Sequence, residues 1–257
     1  MEGCIIEDSQ EYLDKKSFFD KILTIYGRNT VLEVLEDTSI AIYKLHLADS
    51  NKPVHVIDRM VDIAKNRNIE IDYHDKKMLS RISKNSKQDQ GVALDIIMPN
   101  STSTDEFIAS NSNYRIIALD GITNPQNMGM IIRSCAAGNI DAVIIPSKGN
   151  AQISPLVIKA STGTLFKIPI IKTDSLKNTL QSFAQKGATL YILSSDAKQS
   201  YRDEQYGSKS IFVLGNESEG VSTEIRSVCN KSISIPMQRE VESLNVAVTA
   251  SLLAFMN

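Results

Sequence analysis

No stretch of this sequence is apolar for long enough to cross a bilayer, and no segment of it is an internal repeat or a low-complexity tract. Cysteine is scarce. Cys4, Cys135 and Cys229 lie far apart, are odd in number and form no CxxC pair, which disfavours a zinc site and fits a reducing compartment. Basic charge is not in excess either: the formal net charge is -2. That argues against a chain that wraps nucleic acid by bulk charge, and any contact with nucleic acid has to rest on a local patch. The first ten residues hold three acids and no long apolar run, so neither a secretory signal nor a membrane partner is expected, and a cytoplasmic protein is.

What is present is enough apolar material for a core. At 257 residues and 42% hydrophobic content the chain can form one large domain or two small ones. Between Lys52 and Asp89 nine basic residues face six acids, with the excess concentrated from Lys76 to Lys87. A solvated helix face accounts for that excess at least as well as a nucleic-acid-binding patch does.

Alternating patterns in the first half predict a helix from Gln10 to Tyr26, another from Asn29 to Glu36, an extended segment from Ile40 to Leu47, and helices from Pro53 to Asn66 and Lys76 to Ser83 before Gly91. That is a small α/β module over residues 1–98. Residues 99–113 are polar and rich in Ser, Thr and Asn, and are expected to be a linker. Beyond it, apolar runs at Ile116 to Leu119, Ala142 to Ile145, Leu190 to Leu193 and Ile211 to Leu214, with a shorter one at Ile233 to Ile235, read as buried parallel strands. Helical patterns fall between and after them, at Met128 to Ala137, Pro155 to Ala160, Leu176 to Lys186 and Leu244 to Met256. Residues 114–257 are therefore expected to be an open sheet with helices on both faces, binding ligands at the carboxyl ends of its strands.

Three segments in that half carry chemistry. The first runs from Leu119 off a strand into a helix through Asn124-Pro125, with Asn127, Gly129 and Arg133 following. It lacks the GxGxxG of a dinucleotide cradle. Taken alone, Asn127 reads as a helix cap before it reads as a catalytic group, and Arg133 as a surface cation. The second, Leu214-Gly215-Asn216-Glu217-Ser218-Glu219-Gly220, follows a buried strand. Its glycines suit a loop whose backbone contacts a ligand, although a plain turn explains them too. Its carboxylates have no histidine at ligand spacing, since His46, His55 and His74 lie in the other half, so no metal is expected. The third passes from Ile235-Pro236-Met237 to Ser243-Leu244-Asn245, where Ser243 looks like an N-cap and Asn245 falls in the first helical turn.

Each signal is weak by itself, but their combination and order are specific. The chain resembles the SpoU/TrmH branch of the SPOUT methyltransferases over roughly Arg115 to Phe255, and the stretch from Ser154 to Gly163 also looks like that family's pattern. More loosely, the first half resembles the family's ribosomal-protein-like RNA-binding domain, at Ile25 to Val31 and Gln90 to Val92.

The resemblance implies a C-terminal domain tied in a trefoil knot, a homodimer formed through it, and active sites drawing on both subunits. It implies S-adenosylmethionine as methyl donor, held by Leu193, Ser194, Gly215, Asn216, Ile235, Met237, Ser243 and Leu244. The reaction it implies is methylation of a ribose 2'-hydroxyl in structured RNA, ribosomal RNA ahead of transfer RNA. Family practice assigns activation of the hydroxyl to the arginine matching Arg133. A guanidinium is a poor base, so a role in positioning the ribose-phosphate fits its chemistry better. Asn127, Glu217, Ser243 and Asn245 are expected to organise the pocket around it. In one place the pattern breaks: Arg239 stands where the family usually carries glycine. An RNA-binding factor with the same fold and no catalysis, and a transfer-RNA 2'-O-methyltransferase, are the alternatives.

Overall fold

A computed structural model describes residues 18–19, 21–52, 54–84, 88–98, 100–216 and 218–256. The chain divides into two compact units, Met1–Pro99 and Asn100–Asn257.

In the first unit, strands β1 (Ile22–Tyr26), β2 (Ile42–Ala48), β3 (Glu70–His74) and β4 (Val92–Ile97) form one sheet in the order β1-β4-β2-β3. Pairing is antiparallel between β1 and β4 and between β4 and β2, and parallel between β2 and β3. Helices α1 (Arg28–Glu36) and α2 (His55–Asn66) bury Val31, Val34, Leu35, Ile57, Met60 and Ala64. Helix α3 (Lys76–Ser83) buries Leu79 against Ala48 and Ala93, and is capped by Asp75, whose side chain accepts from the Met78 amide at 2.8 Å.

Two expectations fail here. Of the helix expected from Gln10 to Tyr26, residues 10–17 lie outside the described ones, and Ile22–Tyr26 is strand instead. Five ladder partners on β4, from Ile97 to Ala93, override a local pattern that is equally consistent with a helix. Strand β3 was not anticipated, because its sequence EIDYH offers only Ile71 and Tyr73 as apolar residues and Tyr73 is exposed at 59%.

The second unit is a seven-stranded sheet in which every pairing is parallel. Its strands are β5 (Ser101–Thr102), β6 (Tyr114–Asp120), β7 (Ala142–Pro146), β8 (Ile170–Thr173), β9 (Thr189–Leu193), β10 (Lys209–Gly215) and β11 (Lys231–Ile233), in the order β11-β9-β10-β6-β7-β8-β5. Alternate residues go to opposite faces. Ile116 and Ala118 of β6 join a core with Phe107, Leu180 and Phe183, from α4 (Thr104–Ser110) and α7 (Leu176–Gln185). Ile117 and Leu119 are also fully buried, on the face toward α5 (Pro125–Ala137) and α9 (Val246–Ala254). Helix α6 (Pro155–Ala160) packs on α5, and the short α8 (Thr223–Arg226) follows β10. The doubly covered parallel sheet is as expected.

The linker expected at residues 99–113 is not one. Ser101 and Thr102 pair with Ile170 and Ile171 of β8, the Ser103 side chain caps α4, and Phe107 enters the core at 4% exposure. Phe107, with Ile108 packed beside it, docks this polar run on the core. Strand β8 also went unanticipated, since Ile170-Ile171 is too short an apolar run to announce itself.

Candidate active site

The strand order reverses between β10 and β6: from β6 the chain proceeds through β7 to β8, then returns to β9 on the other side of β10. Such a point opens a crevice at the carboxyl ends of the strands. Beside this point, at the ends of β9 and β10, lies a cavity of about 450 Å³, lined also from the segment after β11 and from the start of α9 and by no residue of β6. Leu193, Ser194, Gly215, Asn216, Ile235, Met237, Ser243 and Leu244 all line it. Its lining mixes apolar side chains with polar ones, among them Ser194, Glu242 and Thr249.

Local geometry explains why these residues fold as they do. Asn216 and Gly220 exchange two backbone hydrogen bonds, of 3.0 and 2.8 Å, closing a tight loop at the end of β10. Gly215 is obligatory there, because a Cβ would stand 2.1 Å from the Gly220 carbonyl carbon. The Asn216 side chain accepts from the Ser218 amide at 2.8 Å and donates to the Gly121 carbonyl at 2.9 Å, pinning the loop to the end of β6. Glu217, in the middle of this loop, lies outside the described residues.

Between Ile235 and Ser243 one backbone hydrogen bond occurs among the described residues, from the Val241 amide to the Gln238 carbonyl at 3.3 Å. Unpaired amides and carbonyls beside apolar walls are what a heterocycle with a polar tail requires. Arg239 and Glu240 both adopt left-handed backbone, with φ of 57° and 60°. This is the physical sense of the departure at Arg239, for the position asks for a conformation that glycine takes without strain.

The two asparagines meet. Asn245 Nδ2 donates to Asn127 Oδ1 at 3.1 Å, joining the first turns of α9 and α5. Both capping expectations move by two or three residues: Asn124, not Asn127, caps α5, accepting from Gln126 N at 2.8 Å, and Asn245, not Ser243, caps α9, accepting from Ala247 N at 2.8 Å. Pro125 explains the first shift, since proline fits the first helical position and leaves the residue before it as the cap. Gly129 serves packing: a Cβ there would meet Ala160 Cβ at 2.5 Å, so α5 and α6 touch through it. Arg133 is not among the cavity's lining residues and lies exposed on α5, on a stripe with Gln126, Met130 and Ala137. Burial pushes the Cys135 thiol up, and that of Cys229 up to about 11, which keeps both thiolates scarce near neutral pH.

Residues 114–255 match the SpoU rRNA Methylase family, and residues 24–102 match the substrate-binding domain of RNA 2'-O ribose methyltransferases. The chain belongs to the SpoU rRNA methylase family. It is an RNA methyltransferase. A Staphylococcus saprophyticus protein named for the TrmH family of tRNA/rRNA methyltransferases is 30% identical over 239 residues, covering 91% of this methylase and 94% of the relative. A tRNA/rRNA methyltransferase of Mycobacterium bovis is 29% identical, covering 91% and 73%. Among solved structures, the SpoU methyltransferase AviRb of Streptomyces viridochromogenes, in complex with AdoMet, superposes with a TM-score of 0.59 at 19% identity, over 96% of this methylase and 92% of that chain. A TrmH family protein of Porphyromonas gingivalis gives 0.58 at 22%, over 96% and 91%. Those two likenesses establish the fold. Among the described residues, no helix of this methylase is long and apolar enough to cross a membrane.

Proposed function

We propose that this methylase transfers the methyl group of S-adenosylmethionine to a ribose 2'-hydroxyl of structured ribosomal RNA, acting in the cytoplasm as a homodimer through a knotted second unit. The observation that carries the reading is the convergence on one cavity of Leu193, Ser194, Gly215, Asn216, Ile235, Met237, Ser243 and Leu244, which come from four separate segments of the sequence. The apolar part of the lining suits a purine, and the largely unpaired main chain from Ile235 to Ser243 suits its ribose and the amino-acid tail. When bound, the donor's sulfonium supplies an electrophilic methyl carbon.

The chain's own groups have to bring the ribose oxygen in line with that carbon and find a place for its proton. Arg133 holds the target's phosphate, and does so from outside the cavity of its own subunit. It shares its exposed stripe with Met130, 47% exposed, and α5 packs on α9, where Val248 is 44% exposed. A second copy seated on these apolar residues puts Arg133 beside the partner subunit's cavity. Asn127 and Asn245 brace the helix ends around the site, with Ser243 and Glu217 completing it. Residues 1–98 supply the RNA-binding domain.

The test is incubation with labelled donor and total RNA. Nuclease-resistant 2'-O-methyl dinucleotides from ribosomal RNA are the expected product. Label found in a base, or in transfer RNA alone, refutes the corresponding part of the reading.

A further inference from the structure

One face of the first unit's sheet carries a cluster that methyl transfer does not use. Strands β2 and β3 pair in parallel with His46 opposite Asp72, and residues two apart on a strand share a face, so His46, Asp72 and His74 project to the same side. One ligand atom from each lies within 4.8 Å of the other two. The closest approach is between His46 Nδ1 and His74 Nε2, at 2.9 Å.

The surroundings orient His46. Its Nε2 is 3.2 Å from Asp95 Oδ2, and the other oxygen of Asp95 accepts from Thr24 Oγ1 at 2.6 Å. A carboxylate that holds Nε2–H sets the tautomer and turns the Nδ1 lone pair toward the cluster, as the outer carboxylates of metal-bound imidazoles do. His46 is 6% exposed, while Asp72 and His74 are half-buried, so the cluster is open to solvent from the β3 side.

We infer that His46, Asp72 and His74 form a binding site for one divalent transition-metal ion of zinc's class, which cross-links the edge strand β3 to β2. Two imidazoles and one carboxylate select such an ion over magnesium or calcium, which take oxygen ligands. Metal–nitrogen bonds of about 2.05 Å at a tetrahedral angle set the two nitrogens roughly 3.4 Å apart, so the rings have to separate by only about half an ångström. A water completes the coordination.

Lys44 sets the strength of the site. Its Nζ lies 2.9 Å from both Asp72 Oδ2 and Glu70 Oε1. That contact engages one oxygen of Asp72 and leaves the other to the metal. An ammonium so close to a dication costs affinity, so the site is weaker than a closed four-ligand zinc centre.

Equilibrium dialysis of the full chain against zinc chloride at about pH 7.5 tests this. One bound zinc per chain and a rise in melting temperature with zinc are expected. His74→Gln, at a half-buried edge position, is expected to weaken binding at least tenfold while leaving the metal-free melting temperature near that of the parent. Replacing Cys4, Cys135 and Cys229 together by serine is expected to leave binding intact. Absence of zinc binding by the parent chain, or binding that survives His74→Gln unchanged, overturns the inference and leaves the imidazoles as a hydrogen-bonded pair. Neither readout involves methyl transfer.

Discussion

Asn245 Nδ2 donates a 3.1 Å hydrogen bond to Asn127 Oδ1, across 118 positions of sequence, while Asn245 Oδ1 accepts from the Ala247 amide to cap α9. One side chain therefore does two things that substitution separates. Aspartate caps as well as asparagine but cannot donate. Asn245→Asp is expected to melt within a few degrees of the parent while losing at least tenfold in methyl transfer. Asn245→Ala is expected to lose about 1 kcal/mol of stability as well, measured by urea unfolding. Unchanged transfer in Asn245→Asp would remove the asparagine bridge from the mechanism.

Arg133 lies off the cavity, so its removal is expected to leave donor affinity alone. Titration calorimetry of Arg133→Ala with S-adenosylmethionine is expected to give the parental Kd, with turnover on RNA down by a hundredfold or more. Arg133→Lys, which keeps the charge but not the bidentate geometry, is expected to recover only part of it. Weaker donor binding in Arg133→Ala would place the arginine in the wrong site.

Gly129 and Gly215 are both intolerant of a side chain, for different reasons. In Gly129→Ala the new Cβ meets Ala160 Cβ at 2.5 Å, forcing α5 from α6, with an expected loss of about 1–3 kcal/mol in urea unfolding. In Gly215→Ala it meets the backbone of Gly220 and Val221 at 2.1 and 2.2 Å, which opens a loop that lines the cavity. Donor binding is expected to fall by more than tenfold there, as read by calorimetry.

Arg239 takes φ of 57° where glycine is at ease. Relief of left-handed strain, about 1–2 kcal/mol, exceeds the added chain entropy of glycine, about 0.5–1 kcal/mol, so Arg239→Gly is expected to raise the urea midpoint slightly. A lower midpoint would mean that the arginine side chain contributes binding energy of its own.

Cys135 is fully buried, and the Cys229 thiol is raised to about 11 by burial. A raised thiol pKa keeps the nucleophilic thiolate scarce until pH approaches that value. Both cysteines are expected to resist iodoacetamide at pH 8 in the folded protein and to react fully in denaturant, as peptide mass mapping would read. Rapid native labelling at either site would contradict this burial.

Much of the second unit is legible because a sheet covered on both faces leaves uninterrupted apolar runs, as at Ile116 to Leu119 and Ile211 to Leu214, and because Pro155 marks the start of α6. What escapes notice is held by partners distant in sequence. Ser101–Thr102 is a strand only because β8 is beside it, and β3 only because β2 is. Cap positions slipped at Asn127 and Ser243 because three polar residues near each helix start compete, and only the backbone path decides which side chain reaches the amides.

By itself, the sequence determined the doubly covered sheet, the three loops at its strand ends and the unusual residue at position 239, since those depend on local hydrophobic runs and residue type. Tertiary structure alone decided that the segments after β9, β10 and β11 close on one cavity, that Arg133 stays outside it, that Asn127 meets Asn245, and that His46 lies against His74. Parallel pairing brings together residues dozens of positions apart, and no local pattern of the chain encodes which strand will be the neighbour.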